Sequence, residues 1–257
     1  MTDAALVTGA SAGLGLEYAR LFAARKIPLV LVARRRDRLE ALAAELERDH
    51  GVTVHVLAED LEDALAPARI AAAVEHRGLT LGYLVNNAGF GTSGPFAASD
   101  PARELAMVQV NIAALVALTH AFLPGMVARR RGCILNLGST AGFQPGPFMA
   151  VYYASKAFVN SFTEALSYEL KGTGVTATVS CPGATATEFS LVAGTDRSRL
   201  FRLGAMSSAD VARDGFAAML AGTPLAVHGF KNKVTSMSVR FAPRSWIRAI
   251  AARLNRS

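Results

Sequence analysis

Cysteine, tryptophan and late acidic residues are scarce in this 257-residue chain: it has two Cys, one Trp and no Asp or Glu after Asp214. Cys133 and Cys181 fall at the edges of expected strands and in no C-x-x-C spacing. They are expected to be reduced and buried, neither bridged nor metal-bound. The five His stand singly, so no metal site is expected. No stretch reaches the roughly 20 consecutive apolar residues of a spanning helix. The apolar run Ala4–Val7 leads straight into Thr8-Gly9 without a charged leader or cleavage pattern. These absences predict a soluble, cytoplasmic protein.

The missing acids also locate the charge. Lys231, Lys233, Arg240, Arg244, Arg248, Arg253 and Arg256 account for the whole net charge of +7. The residues before them balance. A nucleic-acid binder would spread basic residues over a face of the domain, so no nucleic-acid partner is expected.

What the chain has is alternation. Strand-like apolar runs at Ala4–Thr8, Pro28–Ala33, Thr53–Leu57, Leu81–Asn86, Cys133–Gly138, Thr176–Cys181 and Leu225–His228 are separated by helical patterns. Continuous apolar strands alternating with helices predict a doubly wound parallel α/β sheet. Helices are expected to open at Gly13, at Asp37 (capping box Asp37-Arg38-Leu39-Glu40), after Ser99-Asp100-Pro101, and at the box Ser207-Ser208-Ala209-Asp210. Another carries Tyr152 and stops near Lys171, before Gly172 and Gly174. No linker splits the chain, which reads as one domain over 1–230 and a basic tail over 231–257.

The first strand-to-helix junction is Thr8-Gly9-Ala10-Ser11-Ala12-Gly13-Leu14-Gly15. Glycines there allow a tight turn and close backbone approach, and a helix N-terminus offers free N–H groups to a pyrophosphate. The second expected strand ends in Ala33-Arg34-Arg35-Arg36 with no carboxylate at its tip. An acid would suit the ribose hydroxyl of NAD, whereas a guanidinium suits the 2′-phosphate of NADP. NADP(H) is therefore expected over NAD(H). Asp60-Leu61 and Asn86-Asn87-Ala88-Gly89 follow the third and fourth strands, at the carboxyl ends where open α/β sheets bind ligands. The Asn pair also fits a plain turn.

Tyr152 and Lys156 lie one helical turn apart on one face. A cation beside a phenol draws its pKa toward the working range, as acid/base chemistry at a carbonyl or alcohol oxygen requires.

With these pieces in order, the chain resembles the short-chain dehydrogenase/reductase family across residues 4 to 190. The motifs are the turn at Thr8–Gly15, Asp60-Leu61, Asn86–Gly89, Asn111, Ser139, the Tyr152/Lys156 pair, and Pro182-Gly183 with Thr187 downstream. The resemblance implies a Rossmann-like sheet of about seven parallel strands and hydride transfer between a nicotinamide and a carbonyl/alcohol pair. It implies that Tyr152 is the acid/base, and that Lys156 lowers its pKa and binds the nicotinamide ribose. Ser139 would hold the substrate oxygen, and Asn111 a helix kink and proton relay. Gly9, Ser11, Gly13, Leu14, Gly15, Arg34, Asp60, Leu61, Asn87, Ala88, Gly89, Tyr152, Lys156, Pro182, Gly183, Thr185 and Thr187 would contact the cofactor. The Y-x-x-x-K spacing selects Tyr152 over Tyr153, which is expected to pack. Departures are Gly138 where many members carry Ser, and Ala12 where many NADP users carry a basic residue.

Substrate identity is weakly encoded. Phe143, Pro145, Phe148 and Met149 form the expected wall, and the apolar segment 188–204, with Arg197, Arg199 and Arg202, the expected lid. A hydrophobic ketone or aldehyde fits such a site. A 3-oxoacyl thioester reductase is the alternative, and a non-catalytic dinucleotide-binding regulator a third. In the tail, Trp246, Ile247, Ile250 and Leu254 share an arc. Docking on the domain or a second subunit, contact with the inner face of a membrane, and disorder all fit it. A homodimer or homotetramer through the helices bearing Asn111 and Tyr152 is expected by resemblance.

Overall fold

The apolar runs become the seven strands of one parallel sheet in the computed structural model, which describes residues 3–194 and 205–256. They are β1 (Ala4–Thr8), β2 (Leu29–Ala33), β3 (Val54–Ala58), β4 (Leu81–Asn86), β5 (Gly132–Leu137), β6 (Val175–Cys181) and β7 (Leu225–Val227). Their spatial order is β3-β2-β1-β4-β5-β6-β7, so the winding reverses between β1 and β4. In such sheets the crevice at the reversal, beyond the strands' carboxyl ends, is the ligand site.

Helices cover both faces. They are α1 (Gly13–Ala24), α2 (Arg36–His50), α3 (Ala66–His76), α4 (Pro101–Val108), α5 (Ala114–Ala128), α6 (Ala150–Glu169), α7 (Glu188–Val192), α8 (Ser208–Leu220), α9 (Phe230–Ser238) and α10 (Arg244–Asn255). One apolar layer packs Val30, Val32, Leu84 and Ile134 against Ile70, Met107, Leu118 and Met126. The other packs Val7, Leu29, Leu31 and Leu135 against Tyr18, Phe22, Phe216 and Met219. Burial on both faces is why these strands read as unbroken apolar runs. The run Pro101–Ala128 is long and apolar enough, by length and composition, to cross a membrane. Met107, Ala114, Leu118 and Met126 place part of it in the first layer.

Helix starts depart from expectation in two places. α2 begins at Arg36 with no side-chain cap, so Asp37 lies inside the first turn, where it favours the dipole without capping. Ser207 precedes α8 without a side-chain bond to it, and Asp210 instead pairs with Arg213. Asp100 does cap α4, accepting from the N–H of Ala102 at 3.0 Å. Cys133 and Cys181 are both free, the first half-buried and the second buried.

The β1–α1 turn is built on close approach. Gly9 has φ +66°, and a Cβ on Gly15 would stand 2.3 Å from the Gly9 carbonyl oxygen. Gly15→Ala is expected to cost about 1–3 kcal/mol by overpacking. The measurement is a urea melt, with a lower midpoint and an unchanged slope.

Candidate active site

The switch point opens into a cleft of about 430 Å³ that runs from the β1–α1 turn across the sheet edge to α6 and α10. Gly9, Ser11, Gly13, Leu14, Arg34, Asp60, Leu61, Asn87, Ala88, Gly89, Ser139, Tyr152, Lys156, Pro182, Gly183, Thr185 and Thr187 all line it. Asn111 and Gly15 do not: each packs behind a lining element. Phe143, Pro145 and Phe148 also lie outside the lining, contrary to expectation. Phe143 packs instead with the cluster of Leu115, Val159 and Val179. The wall is made by Gln144, Met149, Tyr153, Phe189, Leu254 and Asn255. Of the expected lid, Arg197, Arg199 and Arg202 lie outside the described residues.

At the turn end, the N-terminus of α1 has neither a side-chain cap nor an acidic residue in its first turn. Its leading N–H groups are left for an anion. Arg35 donates from Nη2 to the Ser11 hydroxyl at 3.1 Å and to Glu188 at 2.9 Å. Arg34 is held by Glu62 at 3.0 Å and lies 3.8 Å from Asp60. Arg34, which directly follows the strand, leads the run of three Arg on which the expected NADP preference rests. Only the fold shows that its neighbour reaches the Gly-rich turn. Asn87 ties the floor together, donating from Nδ2 to the Thr8 carbonyl at 2.8 Å, while Thr8 Oγ1 accepts from the N–H groups of Asn87 and Ala88. Asn87 thus joins β4 to the β1 turn, while Asn86 turns the other way and donates from Nδ2 to Thr119 Oγ1 at 3.0 Å and to Asn136 Oδ1 at 2.9 Å.

At the other end, α6 carries Tyr152, Tyr153, Ser155 and Lys156. Lys156 Nζ donates to the Leu137 carbonyl at 2.6 Å and lies 5.9 Å from the centre of the Tyr152 ring. Burial pushes its ammonium down to about 8. Burial also pushes the Tyr152 phenol well above its ordinary value, opposite to the lowering expected from Lys156, and it is the Ser139 hydroxyl that draws it partly back. Ser139 Oγ accepts from the N–H of Ala141 at 3.0 Å and donates to the Pro182 carbonyl at 3.4 Å. The phenol, ammonium and hydroxyl therefore share the cleft wall.

Asn111 supports them from behind. It sits in a wide π-turn, Gln109–Ala113, between α4 and α5. Its Nδ2 donates to the Phe90 carbonyl and to Ser155 Oγ, both at 3.0 Å, and its Oδ1 accepts from the N–H of Phe90 at 3.1 Å. A helical bulge at this point re-aims a side chain, as π-turns near functional sites do.

The order of these motifs along the sheet matches the short chain dehydrogenase family over residues 3–197. The chain belongs to the short-chain dehydrogenase/reductase family. A sulfoacetaldehyde reductase of Chromohalobacter salexigens is 41% identical over 194 residues, covering 75% of this chain and 76% of that protein. A very-long-chain 3-oxoacyl-CoA reductase of Anas platyrhynchos is 37% identical over 195 residues, 73% of this chain and 61% of that one. Among solved structures, a short-chain dehydrogenase from Sphingobium yanoikuyae in complex with NADPH superposes with a TM-score of 0.83 at 32% identity, covering 96% of each chain.

Within this family member, Tyr153 does more than pack. Its hydroxyl donates to Asn255 Oδ1 at 3.1 Å, and Asn255 Nδ2 donates to the Pro147 carbonyl at 3.0 Å. A partner 102 positions away has no local signature in sequence.

The buried ammonium makes a checkable demand on stability. Below pH 8 Lys156 is charged in both folded and unfolded chains, and its desolvation opposes folding. Between pH 8 and about 10.5 the unfolded chain binds more protons, so this cost fades as pH rises. Lys156→Met is expected to raise the thermal midpoint of the cofactor-free protein at pH 7, and the difference from wild type should shrink toward pH 10. A constant difference across that range would separate the effect from ionisation.

Proposed function

We propose that the protein is an NADP(H)-dependent oxidoreductase that interconverts a hydrophobic carbonyl and its secondary alcohol. The observation that carries the reading is one cleft with an anion cradle and two guanidinium groups at one end and the Tyr152, Lys156 and Ser139 trio at the other.

The residues present suit the dinucleotide. Gly9 and Gly13 turn at positive φ, and a Cβ on Gly13 would stand 3.1 Å from Thr187. The free N-terminus of α1 suits a pyrophosphate. Ser11, Arg34 and Arg35 would take the 2′-phosphate, Asp60 and Leu61 the adenine, and Asn87, Ala88 and Gly89 the strand-end backbone contacts. Pro182, Gly183, Thr185 and Thr187 would orient the carboxamide. When bound, the cofactor supplies the hydride.

The chain's own residues handle the proton. Burial keeps the Tyr152 phenol protonated at neutral pH, the state needed to give a proton to a carbonyl oxygen being reduced. Ser139 offers a fixed donor where negative charge develops on that oxygen. The Lys156 ammonium stabilises the phenolate left behind. Asn111 positions Ser155, and with it the face of α6 that carries the other two.

Met149, Tyr153, Phe189 and Leu254 make the substrate end apolar. Among the described residues, Lys156 is its only cation. This favours a neutral hydrophobic ketone or aldehyde. The relation to a very-long-chain 3-oxoacyl-CoA reductase supports a second reading, reduction of a 3-oxoacyl thioester. Exposed Leu105, Val108 and Phe158 on α4 and α6 support assembly through those helices.

The test is NADPH consumption against hydrophobic ketones, aldehydes, steroids and 3-oxoacyl thioesters. Turnover of the first classes over thioesters supports the proposal, and no turnover with any leaves a binding protein. Tyr152→Phe is expected to lower kcat by at least about 10²-fold, the scale of general acid catalysis, with NADPH still bound. Tyr153→Phe should retain turnover; equal losses would unseat Tyr152. Arg35→Ala and Arg34→Ala should each raise the KM for NADPH by roughly tenfold or more, the scale of a charge-assisted hydrogen bond, and leave that for NADH unchanged.

A further inference from the structure

The basic tail folds in a way its sequence does not suggest. The arc of Trp246, Ile247, Ile250 and Leu254 is divided: α10 buries Ala251 and Asn255, while Ile247 and Leu254 are half-buried. Trp246 and Ile250 are left in solvent.

A second apolar row runs along α9. Phe230, Val234 and Met237 recur at i, i+4 and i+7, and Phe241 follows on the turn beyond. Such spacing places side chains on one helical face. Here that face is turned to water: exposure ranges from 50% at Val234 to 87% at Phe241. Exposed Lys231, Lys233 and Arg240 flank the row along the chain, and α10 carries exposed Arg244, Arg248 and Arg253. None of these six cations forms an ion pair among the described residues, and no acid occurs anywhere in the segment.

We propose that α9 and α10 together form a docking surface for an anionic lipid bilayer. An exposed apolar row flanked by cations is the make-up of a helix that lies in the headgroup layer, with Phe and Trp in the acyl boundary. Each Lys or Arg near such a surface strengthens attachment severalfold. A second copy of the chain is a poor occupant, because self-association would set this cationic segment against itself. A soluble polyanion would use the cations and leave Phe230 and Phe241 in water. The bilayer uses both. Because Leu254 and Asn255 line the cleft from the same helix that exposes Trp246 and Ile250, docking would set the cleft wall against the membrane.

Trp246 is the only tryptophan, so its emission is a direct probe in the full-length protein. Vesicles of phosphatidylcholine with phosphatidylglycerol are expected to shift it to the blue and to carry the protein down on sedimentation. Vesicles of phosphatidylcholine alone should do neither. The triple variant Lys231→Glu, Lys233→Glu, Arg240→Glu should weaken binding to the anionic vesicles roughly a hundredfold at low salt. The double variant Phe230→Ser, Phe241→Ser, which alters only exposed side chains, should weaken it with every cation in place. A normal thermal midpoint confirms folding of each. No shift and no sedimentation with anionic vesicles overturns the proposal. So does a shift that follows protein concentration without lipid and is lost in the double Phe variant, which would assign the surface to a second copy.

Discussion

Everything at the site depends on the seam between β1 and β4. Thr8 is locked to Asn87 by two hydrogen bonds and to Ala88 by a third, which ties the two strand ends together. The turn that leaves β1 then has to pass close beneath α1, where Gly15 meets the Gly9 carbonyl. The winding reverses at this seam, so no crossover helix covers it, and the strand ends stay open to solvent. The cleft is the space that the topology cannot fill. Both ends of the site are hung from its rim: the anion cradle from β1 and α1, and the proton-transfer group from β5 and α6.

The proposed proton-transfer end combines apolar packing, with the Tyr152 and Phe189 rings 5.2 Å apart, and buried polar bonds. Among the described residues, Lys156 Nζ donates to one acceptor, the Leu137 carbonyl, in surroundings that disfavour its charge. Asn111 fixes Ser155 from a bulged turn, and Ser139 is held by Ala141 and Pro182. An apolar replacement of Lys156 would cost the fold little, because burying a charge is expensive even when it is paired. The lysine is therefore better explained by chemistry at Tyr152 than by stability. This separates the Tyr152/Lys156 pair from an incidental helix-surface pair, which would be exposed.

The parts legible in the sequence were those with local causes. Seven strands could be read because burial on both faces makes each a continuous apolar run, and all seven occur within a residue or so of their expected limits. The Tyr152/Lys156 pair could be read because i and i+4 share a face. Helix starts were read less well at Asp37 and Ser207, since a capping-box pattern competes with other partners that the pattern does not contain. The cleft wall was legible only in part, since Met149 lines it as expected while Phe143, Pro145 and Phe148 do not. Phe143 is near Ser139 in sequence, yet its ring turns into the core, and the positions it was expected to fill are taken by Phe189 and by Leu254 and Asn255 from far along the chain. Contacts such as Tyr153 with Asn255 belong to the tertiary fold alone.

The charge asymmetry follows the same division of labour. In the body of the domain, Arg34, Arg35, Arg38, Arg69 and Arg103 are each paired with Glu or Asp. Near the cleft such pairing keeps the guanidinium groups in place while leaving them able to exchange one acceptor for another. A carboxylate such as Glu188, shared by Arg35 and Arg38, can yield to a phosphate without either cation being left alone. The tail has no acids with which to do this. Its cations need a partner from outside the chain, or water, and the apolar row between them makes water the poorer solvent. An excess of charge that the fold does not neutralise, beside apolar surface that the fold does not cover, is one physical demand with two parts, and an anionic bilayer answers both.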